Sequence, residues 1–417
     1  MVSKPDREVL RRLGQRKAEI AADPVNEERR RLWTRLNGLT SQRPMVWLFE
    51  VPWNEMNVDD ELTLQCEGDV AQAWERVLRR EIYQWDHMAG DMVVAPFMGV
   101  GPPLHDTGFG LSEKVDLART DATSSVVSRH FHIQIADEGD IDKIQMPEVT
   151  LDREAWDRSF EMWSEIFDGV LPVAKVGVKS TSIAPWDLLV RLTGVDEVLT
   201  DMVLRPDYVH QMIDRMTRAF LCRLDQHEAL DILATNNELW LGGGPQFTDE
   251  LPRADGDPGH IRTIDMWGRT MSQIFAAVSP DMHEEFALQY ECRWLERFGL
   301  TYYGCCEQLD RKVGILRRNV PNLRKISMSP WIDLDVAIDN VGADYVFSLK
   351  TNPAVLAEDP WRPDLVRRDL ARTLDRLKDQ HVEIIMKDIS TVRYEPQRLW
   401  EWASIADELA AERSGAR

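Results

Sequence analysis

Leu300-Thr301-Tyr302-Tyr303-Gly304-Cys305-Cys306-Glu307-Gln308 decides how the rest of the chain is read. Four apolar or aromatic positions, 300–303, follow a segment (292–299) that reads as the end of a helix, and they have the length of a short buried strand. Gly304 then lets the backbone turn, so Cys305, Cys306 and Glu307 fall where a strand meets a loop. Two adjacent thiols and a carboxylate are an unusual concentration in a chain with only five cysteines. The set can serve a metal as ligands or supply a nucleophile, or Cys305 can be a small buried apolar residue.

Working outward, strands and helices alternate on both sides of this stretch. Toward the N-terminus, strands are predicted at 45–49, 92–97, 173–178 and 232–241. Helices are predicted at 70–87, 154–167, 186–193, 206–230 and 280–298. The last begins with Ser279 as cap, Pro280 at the first helical position and acidic residues in the first turn. Toward the C-terminus come strands at 326–328, 345–349 and 382–386, helices at 333–341 and 364–379, and a closing helix at 395–411. About eight strands alternating with helices predict an α/β (β/α)8 TIM-type barrel, with chemistry on the loops after the strands. Residues 1–40 read as an N-terminal helical extension. Residues 41–417 form the barrel, with a small antiparallel strand excursion inserted at about 106–150. His130 and His132 in that excursion share one strand face and read as solvated. His283, in a first helical turn, also reads as solvated. The Pro/Gly/Asp-rich stretch 246–262 is long enough for a lid.

The composition excludes several functions. The chain has 417 residues, 43% hydrophobic and 29% charged, with a formal charge of −21. That balance argues against sequence-independent binding to nucleic acid or to an anionic membrane. The polar N-terminus lacks a signal-peptide core, and no apolar run is long enough to span a bilayer, so a cytoplasmic protein is expected. Scattered cysteines fit a reducing compartment. Fifteen tryptophans suit core packing, an aromatic pocket or a buried homodimer interface.

Strand ends supply the candidate site residues. Glu50 ends the first strand, with Trp53 in the loop beyond it. Asp388 and Glu238 are placed to carry protons. Trp53, Trp267 and Trp331 are placed to line an aromatic pocket. Lys350 and Asn352, after a strand, are placed to anchor an anionic substrate group.

Asp265-Met266-Trp267-Gly268, followed by Val278-Ser279-Pro280 and the helix through Phe286 and Tyr290, resembles the uroporphyrinogen decarboxylase superfamily. So do Tyr303-Gly304-Cys305-Cys306 and the stretches 325–329 and 343–353. The resemblance covers roughly residues 190–410. It implies a (β/α)8 barrel with one of two activities. One is cofactor-free decarboxylation of a tetrapyrrole. The other is zinc- and corrinoid-dependent methyl transfer. The decarboxylase branch carries an N-terminal Arg-Gln-Ala-Gly-Arg motif that is missing here, whereas Cys305 matches the methyltransferase zinc cysteine. The expectation is therefore a methyltransferase that moves a methyl group between a small O-, N- or S-methyl substrate and a corrinoid or thiol. Zinc would be held by Cys305, Cys306 and Glu307, with the corrinoid on a separate partner protein. Tyr303 stands at the family's histidine position and joins Asp388 and Glu238 as a candidate catalytic residue. The family's late cysteine falls near Lys387 and Asp388. The alternatives are a metal-free decarboxylase or lyase, a nucleophilic-cysteine enzyme and a non-catalytic ligand-binding barrel.

Overall fold

The structure is a computed structural model that describes residues 2–119, 127–257 and 259–414. Its strands are β1 (Met45–Leu48), β2 (Met98–Val100), β3 (Leu104–Asp106), β4 (Val115–Ala118), β5 (Ser128–Phe131), β6 (Val149–Leu151) and β7 (Val173–Lys175). Next come β8 (Ser182–Ile183), β9 (Trp267–Thr270), β10 (Leu300–Tyr303), β11 (Leu323–Met328), β12 (Val346–Lys350) and β13 (His381–Met386). Seven of them form one sheet in the order β1-β13-β12-β11-β10-β9-β8, and every pairing in it is parallel. Parallel strands need crossovers. Helices Val313–Asn319, Leu334–Val341 and Pro363–Arg376 supply them along the C-terminal half. Strands β10, β12 and most of β11 and β13 are buried on both faces, as strands sandwiched between a filled interior and outer helices must be.

The fold is TIM-like, but among the described residues the ladder does not close into eight strands. The expected strand at 92–97 is an extended segment whose polar backbone groups are satisfied by side chains. Asn26 accepts from Val94 N–H at 2.8 Å, and Arg29 donates to the Met92 carbonyl at 3.0 Å. Beside it, the Asp91 carboxylate accepts from Val46 N–H at 2.8 Å, which takes a ladder position on β1. The expected strand at 232–241 reduces to two isolated bridges, Val178 to Leu233 in parallel and Trp240 to Pro245 in antiparallel. The β2–β7 pair is separate from the seven-stranded sheet, and the Gly242–Gly244 turn packs against Glu383 and Trp33. A Cβ at Gly243 would lie 2.3 Å from a Glu383 carboxylate oxygen, and one at Gly244 would lie 2.1 Å from the Trp33 ring. Only glycine lets the backbone reach that far into the barrel.

Helix α1 (Lys4–Ala21) packs on Asp69–His87, and α2 (Val25–Asn37) lies under the barrel. The fully buried Trp33 of α2 donates to the Asp91 carbonyl at 2.8 Å, and Asn37 donates to the carbonyls of Pro245 and Phe247. Antiparallel pairs β3–β6 and β4–β5 form an excursion, of which residues 120–126 lie outside the described residues. There His132 pairs with Asp116 at 3.0 Å, on an exposed hairpin. Residue 258 of the long 246–262 loop also lies outside the described residues. No helix among the described residues is long and apolar enough to cross a membrane.

Candidate active site

The C-terminal ends of β1, β10 and β13 bring five polar side chains together. Gly304, at φ +96°, turns the chain out of β10. The Arg269 guanidinium, from β9, clamps the Gly304 carbonyl with two hydrogen bonds of 3.1 and 2.9 Å. Ser327 donates to the Cys305 carbonyl at 2.6 Å. The loop that carries the thiols is thereby fixed from two neighbouring strands.

Lys387 follows β13 and is almost completely buried. Its ammonium lies 3.2 Å from Cys305 Sγ, 3.9 Å from Cys306 Sγ, 3.1 Å from the Asp388 carboxylate and 3.7 Å from that of Glu50. The two sulfurs are 3.6 Å apart, and Cys306 Sγ is 3.3 Å from Asp388 Oδ2. Glu50 accepts from Asp388 N–H at 3.2 Å. Both carboxylate residues hold left-handed backbone angles, φ +54°, at the ends of adjacent strands. Non-glycine residues keep that conformation only where their surroundings impose it, and such positions cluster at functional sites.

The electrostatics divide these groups into roles. Cys305 is held well below an ordinary thiol by the hydrogen bond from Cys306 and, against the effect of burial, by the positive charges of Arg269 and Lys387. Cys306 is raised by the same hydrogen bond and by burial, so Cys305 is the more readily ionised of the two thiols. Lys387 stays protonated in spite of burial, because thiolate and carboxylate charges surround it. Burial raises Glu50, with Asp388 adding to the rise and Lys387 opposing it. Asp388 is lowered, because Lys387 and its hydrogen-bond partners outweigh burial. The two neighbouring carboxyls are thus pushed in opposite directions.

Below the thiolate lies a buried polar layer. Lys325 and Glu383 form a fully buried ion pair at 2.8 Å. Lys350 donates to Tyr302 Oη at 2.8 Å and to Ser348 Oγ at 2.7 Å, and burial pushes it down to about 7.

The sequence-derived residues separate into groups. Cys305, Cys306, Asp388 and Glu50 converge, and Lys350 lies in the layer beneath them. Glu307 does not point at the thiols. Its carboxylate turns inward and accepts from its own loop, Cys305 N–H at 2.8 Å, and from Ser272 N–H at 3.2 Å. Burial, and then the Cys305 charge, push it up to about 6. Side-chain alternation along β10 sends Tyr302 into the barrel and Tyr303 out of it, away from the thiols. Tyr303 Oη donates to Glu291 at 2.6 Å and meets His283 Nε2 at 2.7 Å. Glu238 pairs with Lys179 instead of reaching the thiols. Trp53 lies under Arg80 and edge-on to Tyr83, at a separate cavity. Trp267 is fully buried in the core beside Leu300 and Tyr302. Trp331 is 63% exposed on the rim. Asn352 caps the short helix at Pro353–Ala357, and together with Trp361 and Trp402 it lines a cavity of about 340 Å³ beside the ends of β11 and β12.

His283 corrects the solvated reading. It is fully buried, and burial together with the Lys312 charge pushes it down to about 3. The cause is a π-helical turn at Glu284–Leu288. In a regular helix, residues 283 and 291 would sit about 80° apart around the axis. One extra residue in the turn brings them to within about 20°, so both face Tyr303. Lys387, Arg269, Lys325 and Glu383 were not foreseen as site residues. The available signal was a cation or carboxylate inside a strand otherwise apolar, as in Lys325 within β11 and Glu383 within β13.

A zinc ion with Cys305, Cys306 and Glu307 as ligands does not fit this arrangement. Glu307 is committed to the backbone N–H groups of Cys305 and Ser272, and the Lys387 ammonium already lies against both thiols and both carboxylates. Among the described residues no three or more histidine, cysteine, aspartate or glutamate side chains form a metal-ligating group. Fold and site together define an α/β protein with a seven-stranded parallel sheet and a lysine-paired cysteine at the C-terminal ends of its strands. No family model matches the chain, and no curated protein matches it. Among solved structures it is similar to a methyltransferase from Methanosarcina mazei, at a TM-score of 0.49 and 12% identity, covering 91% of this chain and 97% of that one.

Proposed function

We propose that the chain is a thiolate-dependent methyltransferase acting on a small O-, N- or S-methyl substrate at the barrel mouth. The observation that carries this reading is the buried Lys387 ammonium 3.2 Å from Cys305 Sγ, which supplies a nucleophile already charged at neutral pH. The methyl group comes from the sequence resemblance, and the nucleophile comes from the geometry.

In the first step the Cys305 thiolate attacks the methyl carbon. The bond from carbon to the substrate heteroatom breaks, and its electron pair leaves with the heteroatom. Glu50, the carboxyl raised by burial, gives that atom a proton. The products are S-methyl-Cys305 and the demethylated substrate. In the second step an acceptor nucleophile takes the methyl group, Cys305 leaves as thiolate, and Glu50 is reprotonated from water. The charges of Lys387 and Arg269 that stabilise the thiolate also make it a better leaving group in this second step. A corrinoid acceptor on a separate protein would approach the same rim, where Trp331 is exposed.

The test is peptide mass mapping after incubation with a panel of small methyl ethers, methylamines and methyl thioethers. The expected result is one added CH2 of mass on the peptide carrying Cys305, with none in Cys305→Ser. A panel that reacts only at other cysteines, or at none while Cys305 still alkylates readily, overturns methyl transfer.

A further inference from the structure

We propose that Lys387 is the resident cation of this site, held among Cys305, Cys306, Asp388 and Glu50, so that the centre works without metal. Three observations carry this. The ammonium has two sulfurs and two carboxylates within 3.1–3.9 Å, a mixed soft and hard donor set of the kind that suits zinc. The lysine side chain is only 5% exposed, so it is built into the site and does not sweep through it. Glu307, the carboxylate nearest in sequence, is turned to its own backbone and cannot replace a ligand.

The chemical consequence is specific. A point charge on a flexible stem pairs with the thiolate without forming a bond to it, so the sulfur keeps its lone pairs for the substrate. A metal would share that electron density and would keep a position open for an exogenous ligand.

The inference concerns the same site as the proposed methyl transfer. Its test reads the ligand shell and not turnover, so each can fail without the other. The probe is Co2+ added to the full chain. Its charge-transfer absorption with thiolate reports cysteine ligation, and zinc competition confirms the site. Wild type is expected to show no such band. Lys387→Gly, which vacates the cation position, is expected to gain the band and bind one equivalent, and to lose both when Cys305→Ser is added. Lys387→Met, which refills the space with an apolar stem, is expected to gain neither. A cobalt–thiolate band in wild type that disappears in Cys305→Ser overturns the proposal. So does a folded Lys387→Gly protein that still binds no metal.

Discussion

Replacing Lys387 by methionine removes the charge next to Cys305 and keeps most of the stem volume. The two groups are 3.2 Å apart and both are nearly buried. At an effective dielectric constant of about 20, a unit charge at that distance contributes about 5 kcal/mol, or roughly 4 pK units on the thiol. Water that enters the vacated space and the remaining Arg269 charge reduce this, while Asp388 and Glu50, now without their cation, add to it. The net expectation is a rise of at least about 2 units. The assay is the pH profile of Cys305 alkylation by iodoacetamide, followed by peptide mapping. Its observable is the midpoint, because a thiol of higher pKa is also more nucleophilic once ionised, and a rate at one pH mixes the two effects. An unchanged midpoint in a folded Lys387→Met protein refutes the assignment of the thiolate to this ion pair.

Two further results are expected. Lys325→Met leaves the Glu383 carboxylate buried without its closest partner and should lower stability by about 3–5 kcal/mol in urea unfolding, whereas Lys325→Met with Glu383→Leu should recover most of the loss. Stability should also depend on pH through the buried Glu291 and His283. Glu291, pushed up to about 7 from 4.5 chiefly by burial, is protonated in the native state where the unfolded chain has released its proton. Its contribution therefore falls by about 3 kcal/mol as pH rises through that window. His283, lowered to about 3 from 6.5, is neutral in the fold, so stability falls instead as pH drops from 6.5 toward 3. Glu291→Gln should reduce the first slope, leaving the smaller share that Glu307, pushed up to about 6, carries, and should leave the second slope, as read by denaturation midpoints across the range; an unaltered first slope contradicts the assignment.

The elements with strong periodicity were legible in the sequence. The strands around Cys305 and the capped helix at Ser279 follow from apolar runs, Gly304 and the Ser-Pro pair, and Ser279 Oγ does accept from Met282 N–H at 3.2 Å. The convergence of Cys305, Cys306, Asp388 and Glu50 follows from parallel strands ending at one rim. What was not legible depends on side chains replacing backbone partners. Asn26 and Arg29 bond to the segment expected as a second strand, and no local pattern announces that. The direction of Glu307 is set by the turn at Gly304, which decides whether the next carboxylate faces the thiols or its own backbone. Tyr303 and His283 meet because of a π-helical turn that depends on packing and not on composition. Lys387 looked like a polar strand end, and its role appears only when two carboxylates and two sulfurs are found around it.

The proposed methyl transfer requires Cys305 to be a thiolate at neutral pH, held by Lys387. Thiolate absorbance in the ultraviolet, followed against pH for metal-free wild type minus Cys305→Ser, tests it most directly. The account predicts a difference signal already complete at neutral pH that disappears only in acid, below the ordinary thiol range near pH 8–9. A difference signal that rises only in that ordinary range would mean that Cys305 is a neutral thiol in the folded protein, and the account would be wrong.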